Sequence, residues 1–119
     1  MNNYQRGLEI RKQVIGQEAS RAVSESLKEI APVLDEYTLL VFDEMENRKI
    51  LDLKQREMIT ITTLLTQGDT APQLKIHIQG ALNVGLSQAE IIETFIQCLP
   101  YVGFPKVLNA IAVAKKVFE

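Results

Sequence analysis

The sequence has no tryptophan, one cysteine and one histidine. A single cysteine excludes an internal disulfide, and so few cysteines and histidines exclude the clustered ligands of a structural zinc site. Cys98 lies on an apolar stretch, which favours a small buried side chain over a nucleophile. The glycine-rich loop that cradles phosphates in nucleotide-binding proteins is also missing. The sequence therefore predicts a protein without metal or cofactor.

The sequence also lacks a large net charge, either positive or negative. The chain has 13 basic and 15 acidic residues, with a formal net charge of −2 and no long run of one sign. Nucleic-acid-binding proteins carry a basic patch or stripe, so we expect no nucleic-acid partner. No uncharged apolar run approaches the roughly 20 residues of a membrane span, and the first residues lack the apolar core of a signal peptide. We expect a cytoplasmic protein with no membrane partner.

Apolar residues recur at helical spacing along the whole sequence, and no segment shows the alternation of a β-strand. The sequence therefore predicts an all-α protein of six to seven helices with a central antiparallel helical hairpin. Its 119 residues fit one domain, 1–119. The predicted helices span about residues 3–14, 18–30, 32–45, 52–67, 70–85, 87–99 and 105–119.

The start of the sixth helix has the clearest local signal. Ser87 and Glu90 are spaced as a capping box, in which each side chain accepts a hydrogen bond from the other residue's amide. Leu86 and Ile91 occupy the positions of a hydrophobic staple. We expect Pro100 to end this helix, because proline lacks the amide hydrogen that a helix interior needs.

Other helix ends have weaker signals. Asn3 can cap the first helix, and the pairs Asp52–Gln55 and Thr70–Gln73 have the spacing of further capping boxes. The third and last helices carry wider apolar arcs than one small core needs. These arcs predict a homo-oligomer.

The stretch from Pro72 to Pro105 contains His77, the sole histidine. Histidine is the side chain that exchanges a proton most readily near neutral pH. On a helix, Gln73 and Gly80 share its face, and Gly80 leaves space for a small molecule or a neighbouring helix. An equally good interpretation is a partly buried histidine bonded to a backbone carbonyl.

Glu57 is the second candidate for chemistry. It shares a helix side with Ile61 and Leu64, which predicts partial burial. Alternatively, it is an exposed acid favoured by the helix dipole. The neighbouring Arg56 is either an anion clamp or a surface charge. A histidine, a carboxylate and one or two arginines in a helical pocket suit proton transfer on a small carboxylic acid.

The chain closely resembles the carboxymuconolactone decarboxylase family. The resemblance rests on H-x-x-G-A-L-x-x-G-L-S-x-x-E from His77, on Y-x-G-F-P from Tyr101, and on Y-Q-R-G-L-E-I-R near the N-terminus. It implies an alkylhydroperoxidase-like fold in a ring-like homo-oligomer, a trimer or hexamer. It also implies cofactor-free decarboxylation of 4-carboxymuconolactone or a related lactone in aromatic catabolism.

We assign hypothetical roles to individual residues in the reaction that the resemblance implies. His77 would transfer the proton, and Glu57 would orient or tune His77. Arg11 or Arg56 would bind the substrate carboxylates. Gln73 and Gly80 would complete the substrate-binding set.

Two alternatives remain open. Alkylhydroperoxidase-like relatives use a C-x-x-C-x-x-x-H motif, which would need cysteines at Thr70 and Gln73, so a thiol peroxidase would have only Cys98. A helical ring that binds a small ligand without turnover is the other alternative. Members of the decarboxylase group have a tryptophan-containing stretch before the fourth helix, where this chain has LLVFDEMENRK. If that stretch lines the pocket, the substrate is a different lactone or a keto acid.

Overall fold

The computed structural model of the protein describes all 119 residues, as seven α-helices and no β-strand. The helices are α1 (Asn3–Ile15), α2 (Gln17–Leu27), α3 (Pro32–Asn47), α4 (Leu53–Gln67), α5 (Ala71–Asn83), α6 (Gln88–Val102) and α7 (Phe104–Phe118). The predicted all-α class is therefore confirmed. The chain forms two compact units, Met1–Leu53 and Lys54–Glu119. The assignment of one domain to residues 1–119 stays a prediction.

The first unit is built on α1, which packs against both α2 and α3. Gly7 lies where α1 crosses α3, and a Cβ atom there would overlap with the carbonyl oxygen of Leu39. Only glycine permits so close an approach of two backbones. Gly16 ends α1 with a φ of +93°, a conformation that glycine adopts without steric cost.

A buried arginine connects the three helices of the first unit. Arg11 of α1 is 1% exposed, and its Nε donates to Ser20 Oγ of α2 at 2.7 Å. Nη1 donates to Asp35 Oδ1 and Thr38 Oγ1 of α3 at 2.6 and 2.7 Å. Nη2 donates to the carbonyl of Ser20 and to Ser24 Oγ. These bonds use all five N–H groups of the guanidinium.

The second unit has the apolar core, where α7 packs against α5 and α6. Each fully buried valine, leucine, isoleucine or phenylalanine of this core contributes about 1.5–3 kcal/mol relative to exposure. The core consists of Ile61, Leu65, Leu74, Ile78, Ala81, Leu86, Ile91, Phe95, Cys98, Val107, Ala110 and Ala114. This core supports α4 and α5, the two helices with the candidate site residues.

The capping box predicted for α6 is confirmed. The amide of Ser87 donates to Glu90 Oε1 at 2.8 Å, and the amide of Glu90 donates to Ser87 Oγ at 3.0 Å. The hydrogen bonds from the backbone amide and then the side chain of Ser87 lower the pKa of Glu90 below its ordinary value. Leu86 and Ile91, the staple residues, are both buried.

The capping box predicted for α5 is wrong. Thr70 is the N-cap residue, but its side chain makes no capping bond. Its hydroxyl instead donates to the carbonyl of Leu64 at 2.6 Å. This carbonyl belongs to the last turn of α4, where helix geometry leaves acceptors without intrahelical donors. The hydroxyl thus supports the end of the preceding helix.

Three other predicted helix ends differ from the structure. The N-cap of α1 is Asn2 rather than Asn3. The second helix ends at Leu27 rather than near Ile30. Only Ala31, directly before Pro32, has the non-helical backbone that a following proline favours, with a φ of −156°. Pro100 does not stop α6, which continues to Val102. A proline near a helix end removes one hydrogen bond, and Gly103 provides the actual end with a φ of +88°.

None of the seven helices is both long and apolar enough to cross a lipid bilayer.

Candidate functional site

A histidine and a glutamate from consecutive helices meet in the second unit. His77 Nδ1 of α5 lies 2.8 Å from Glu57 Oε1 of α4. Glu57 is 1% exposed, whereas the His77 side chain is 21% exposed. The structure therefore pairs a buried carboxylate with an imidazole that solvent can reach. We call these two residues the Glu57–His77 pair.

Glu57 is buried because of its position on α4. Ile61 and Leu65, one and two turns further along the helix, are both buried in the core. Positions four and eight residues apart lie on the same side of a helix, so the core face of α4 carries Glu57 inward with them. The predicted partial burial of Glu57 underestimated how deeply this side chain lies.

The second oxygen of the same carboxylate is unusual. Glu57 Oε2 is buried and has no hydrogen-bond partner. Almost all buried polar atoms in proteins have a partner, and a buried carboxylate that lacks one costs free energy. The carboxylate therefore interacts with the imidazole through Oε1 alone.

The pairing determines how His77 can act. A carboxylate only accepts hydrogen bonds, so Nδ1 donates its hydrogen to Glu57 Oε1 when the carboxylate is ionised. The other ring nitrogen, Nε2, makes no hydrogen bond within the protein. Nε2 is therefore the atom that can exchange a proton with a bound molecule.

Two predicted substrate-binding residues lie on α5 near His77. Gln73 is exposed and precedes His77 by one turn, whereas Gly80 is buried and follows it by one turn. The three residues share one face of the helix. Arg56 is half-buried on α4 and directly precedes Glu57, so it projects to another side of that helix.

Arg11, the other predicted substrate-binding arginine, lies in the first unit. All five of its N–H groups already bond within the chain. The structure thus gives Arg11 no free donor for a substrate carboxylate. Sequence reasoning missed its partners on α2 and α3, although small polar residues at helical spacing on half-buried faces were the available signal.

No group of three or more histidine, cysteine, aspartate or glutamate side chains is placed to hold a metal ion. Cys98 is buried, and its thiol donates to the carbonyl of Thr94 at 3.3 Å. It is the only cysteine, so the chain has no second thiol with which to form a disulfide. The Glu57–His77 pair is the one arrangement suited to proton transfer.

Comparison with known proteins finds one matching family and several relatives of similar length. The sequence model of the Carboxymuconolactone decarboxylase family matches residues 31–116. The chain is 27% identical over 117 residues to the 4-carboxymuconolactone decarboxylase of Acinetobacter baylyi, covering 98% of this chain and 87% of that protein.

Two further relatives have similar coverage. The chain is 28% identical over 117 residues to the nitrosuccinic acid decarboxylase of Metarhizium robertsii, covering 98% of this chain and 81% of that protein. It is 32% identical over 113 residues to an uncharacterized 15.0 kDa protein of Paracoccus denitrificans, covering 87% of this chain and 84% of the relative.

Proposed function

Since the chain belongs to the carboxymuconolactone decarboxylase family, we propose that it is a cofactor-free decarboxylase of a small carboxylated lactone, 4-carboxymuconolactone or a related compound. The observation that carries this proposal is the Glu57–His77 pair, with its 2.8 Å contact and its accessible Nε2. The names of two relatives support the broader class of decarboxylase.

The reaction requires a place for an electron pair and a source of one proton. When the carboxylate carbon leaves as carbon dioxide, the electrons of the broken carbon–carbon bond move toward the lactone carbonyl and form a dienolate. Protonation at the α-carbon then gives the product. A hydrogen-bond donor held at the developing oxyanion lowers such a barrier by about 3–4 kcal/mol.

His77 is the proton donor in this proposal. In the doubly protonated imidazole, Nε2 gives its proton to the α-carbon of the dienolate. The resulting neutral imidazole then takes a proton from solvent, so the enzyme returns to its starting state. A positioned general acid of this kind accelerates a reaction by roughly 10²–10⁴-fold. The partial exposure of the imidazole supports this role, because both the substrate and water must reach Nε2.

Glu57 acts through His77 rather than on the substrate. Its carboxylate holds Nδ1 and thereby directs Nε2 outward. It also stabilises the positive charge of the doubly protonated imidazole. Because Oε2 has no other donor, this carboxylate has no competing hydrogen bond.

Substrate carboxylates need a cation, and Arg56 is the arginine we propose for this contact. It is half-buried on α4 and is the only arginine of the second unit, which contains the Glu57–His77 pair. Gln73 and Gly80, on the face of α5 that carries His77, complete the proposed substrate-binding set. We do not include Arg11, because its guanidinium is saturated within the first unit.

We further propose that the protein assembles as a homo-oligomer, a trimer or hexamer. Four large apolar side chains of α3 are about half exposed in the single chain, and their spacing places them along one stripe. They are Val33, Leu34, Tyr37 and Val41. Single subunits rarely leave such stripes in contact with water, which supports contacts between copies.

An assay across a panel of substrates tests the proposed activity. The purified protein is incubated with 4-carboxymuconolactone, related carboxylated lactones and nitrosuccinic acid, and loss of substrate is followed by ultraviolet absorbance. The proposal predicts carbon dioxide release from at least one lactone. Peroxide consumption that requires a dithiol and Cys98 would instead establish a thiol peroxidase. Thermal stabilisation by a lactone without turnover would leave a ligand-binding protein.

A further inference from the structure

A groove between α4 and α6 in the second unit plays no part in the proposed chemistry. It has a volume of about 590 Å³ and is lined by Met58, Ile59, Thr62, Thr63, Glu90, Glu93, Thr94, Gln97 and Cys98. The Thr62, Thr63 and Thr94 hydroxyls and the Cys98 thiol each donate to a carbonyl one turn earlier on their own helix. The groove therefore presents mainly carbon to solvent.

The charged side chains of this groove are both acidic. Glu90 and Glu93 lie along its α6 side, and no basic residue lines it. The hydrogen bonds from Ser87 lower the pKa of Glu90 and favour its ionised form, and the charge of Lys54 acts in the same direction. Glu93 makes no ion pair. The groove thus fits an occupant with an apolar ridge and a positive end.

Helix α7 presents such a surface. Phe104 and Leu108 are 64% and 59% exposed and lie one turn apart, with exposed Ala112 one turn further. Lys115 and Lys116 are exposed in the last turn and make no ion pair. No acidic residue occurs between Phe104 and Phe118. Lys115 lines a pocket with Glu93 of the same chain, so we call only Phe104, Leu108, Ala112 and Lys116 the outer face of α7.

We propose that the outer face of α7 of one copy sits in the α4–α6 groove of a second copy. This inference rests on the proposed assembly and assigns one of its contacts. Leu108 and Phe104 enter the apolar groove, and Lys116 lies against its acidic side. The contact joins two different surfaces, so it links copies head to tail and forms a ring when the rotation closes.

The charges argue against the other pairings of these surfaces. Two grooves facing each other would place Glu93 against Glu93, and two outer faces would place lysines against lysines. The apolar stripe of α3 is flanked by Glu36, and α3 contains no lysine or arginine, so it offers no positive charge to the acidic groove. Like charges in contact disfavour the wrong partner and thereby fix the pairing.

The contact would also cover part of α4, the helix that carries Glu57. Met58 lines the groove and directly follows Glu57 on α4. A partner helix in the groove therefore packs on the turn that holds Glu57, and it restricts the motion of that turn. Assembly and the Glu57–His77 pair would be linked through α4.

The test is the molar mass of the full chain by light scattering, with dissociation constants from sedimentation equilibrium. Leu108→Asp should weaken assembly about tenfold or more, because it places a charge in the apolar groove. Glu93→Lys and Lys116→Glu should each weaken it roughly threefold to tenfold, and the effect should fall at high salt. Glu25→Lys, an exposed change on α2, is the matched control and should leave assembly unchanged.

Combining the two charge changes in one chain gives the sharpest result. The double variant Glu93→Lys, Lys116→Glu exchanges the two charges, so every contact in a ring of any size again joins opposite charges. It should therefore recover most of the assembly that each single variant loses.

Failure of the double variant to recover assembly, or wild-type assembly by Leu108→Asp, would overturn the proposal. Disruption by Val41→Asp alone would assign the contact to α3 instead. None of these masses depends on turnover, so the decarboxylase proposal stands or falls separately.

Discussion

Glu57 Oε1 lies 2.8 Å from His77 Nδ1, while Oε2 of the same carboxylate is buried without a hydrogen-bond partner. A protein selected for stability alone has little reason to bury such a group, since an apolar side chain of similar volume usually costs less. Strained or unsatisfied groups of this kind concentrate at functional sites. These observations support the proposal that the Glu57–His77 pair is the centre of the chemistry.

Replacing Glu57 with glutamine separates function from stability. Glutamine keeps the shape, can donate its amide hydrogen to Nδ1, and buries a neutral oxygen in place of a carboxylate oxygen. We expect turnover to fall by about 10²-fold or more. The free energy of unfolding should stay equal or rise by about 1–2 kcal/mol. Urea unfolding and the lactone assay measure the two quantities.

Glu25→Gln, on the exposed surface of α2, provides the matched control and should change neither quantity. If Glu57→Gln instead lost several kcal/mol of stability while keeping its turnover, the carboxylate would be a structural group. The assignment of Glu57 as the residue that positions His77 would then be wrong.

The substitution Arg11→Met should lower the free energy of unfolding. The substitution removes all five hydrogen bonds of the guanidinium and leaves the carboxylate of Asp35 without its cation. Breaking one side of a buried ion pair costs about 3–5 kcal/mol. We expect a lower midpoint of urea unfolding by roughly that amount, whereas Arg21→Met, an exposed residue on α2, should change it little.

The opposite pattern would restore the substrate-binding role that we predicted for Arg11 from the sequence. A raised KM with an unchanged unfolding midpoint would mean that the guanidinium binds substrate carboxylates. In that case, the hydrogen bonds to α2 and α3 would have to break when substrate binds.

The stability of α6 should depend on pH through Glu90. Its pKa is lowered in the folded protein below the ordinary value of 4.5 by the amide and hydroxyl of Ser87. A lowered folded pKa contributes stability above the unfolded pKa, and this contribution is lost as pH falls through the folded value. Glu90→Gln should therefore be less stable than the wild type at pH 7.

The difference between the two proteins should shrink below about pH 4.5 and vanish at lower pH, where the carboxyl is protonated in both states. Urea unfolding at pH 7, 4.5 and 3 measures it. A difference that stays constant across this range would show that the ionised carboxylate does not stabilise the cap.

The sequence predicted a helix end correctly where all the residues that interact there lie within that one end. Ser87 and Glu90 are three positions apart, so their capping box could be predicted from spacing alone. The absence of a capping bond at Thr70 could not be predicted from spacing, because the Thr70 hydroxyl donates to the carbonyl of Leu64 on the preceding helix. At Pro100, a single missing hydrogen bond near the helix end was too small a cost to stop α6.

The site was predictable as a set of residue types but not as a geometry. The presence of a single histidine pointed to His77, and the helical position of Glu57 pointed to that carboxylate. Their contact could not be predicted in the same way, because it joins positions 20 residues apart. The saturation of Arg11 depends on partners 9 to 27 residues away on two other helices. The unpartnered Oε2 depends on the packing around it, which no local pattern contains.

The most direct test of the central claim is the turnover of His77→Gln. The glutamine amide can donate to Glu57 Oε1 in place of Nδ1, so the buried carboxylate keeps a partner, and the far-ultraviolet circular dichroism and the unfolding midpoint should stay close to those of the wild type. With the lactone that the wild type decarboxylates, we predict that the rate falls by roughly 10²–10⁴-fold. A His77→Gln protein that decarboxylates this lactone at the wild-type rate would contradict the assignment of His77 as the proton donor.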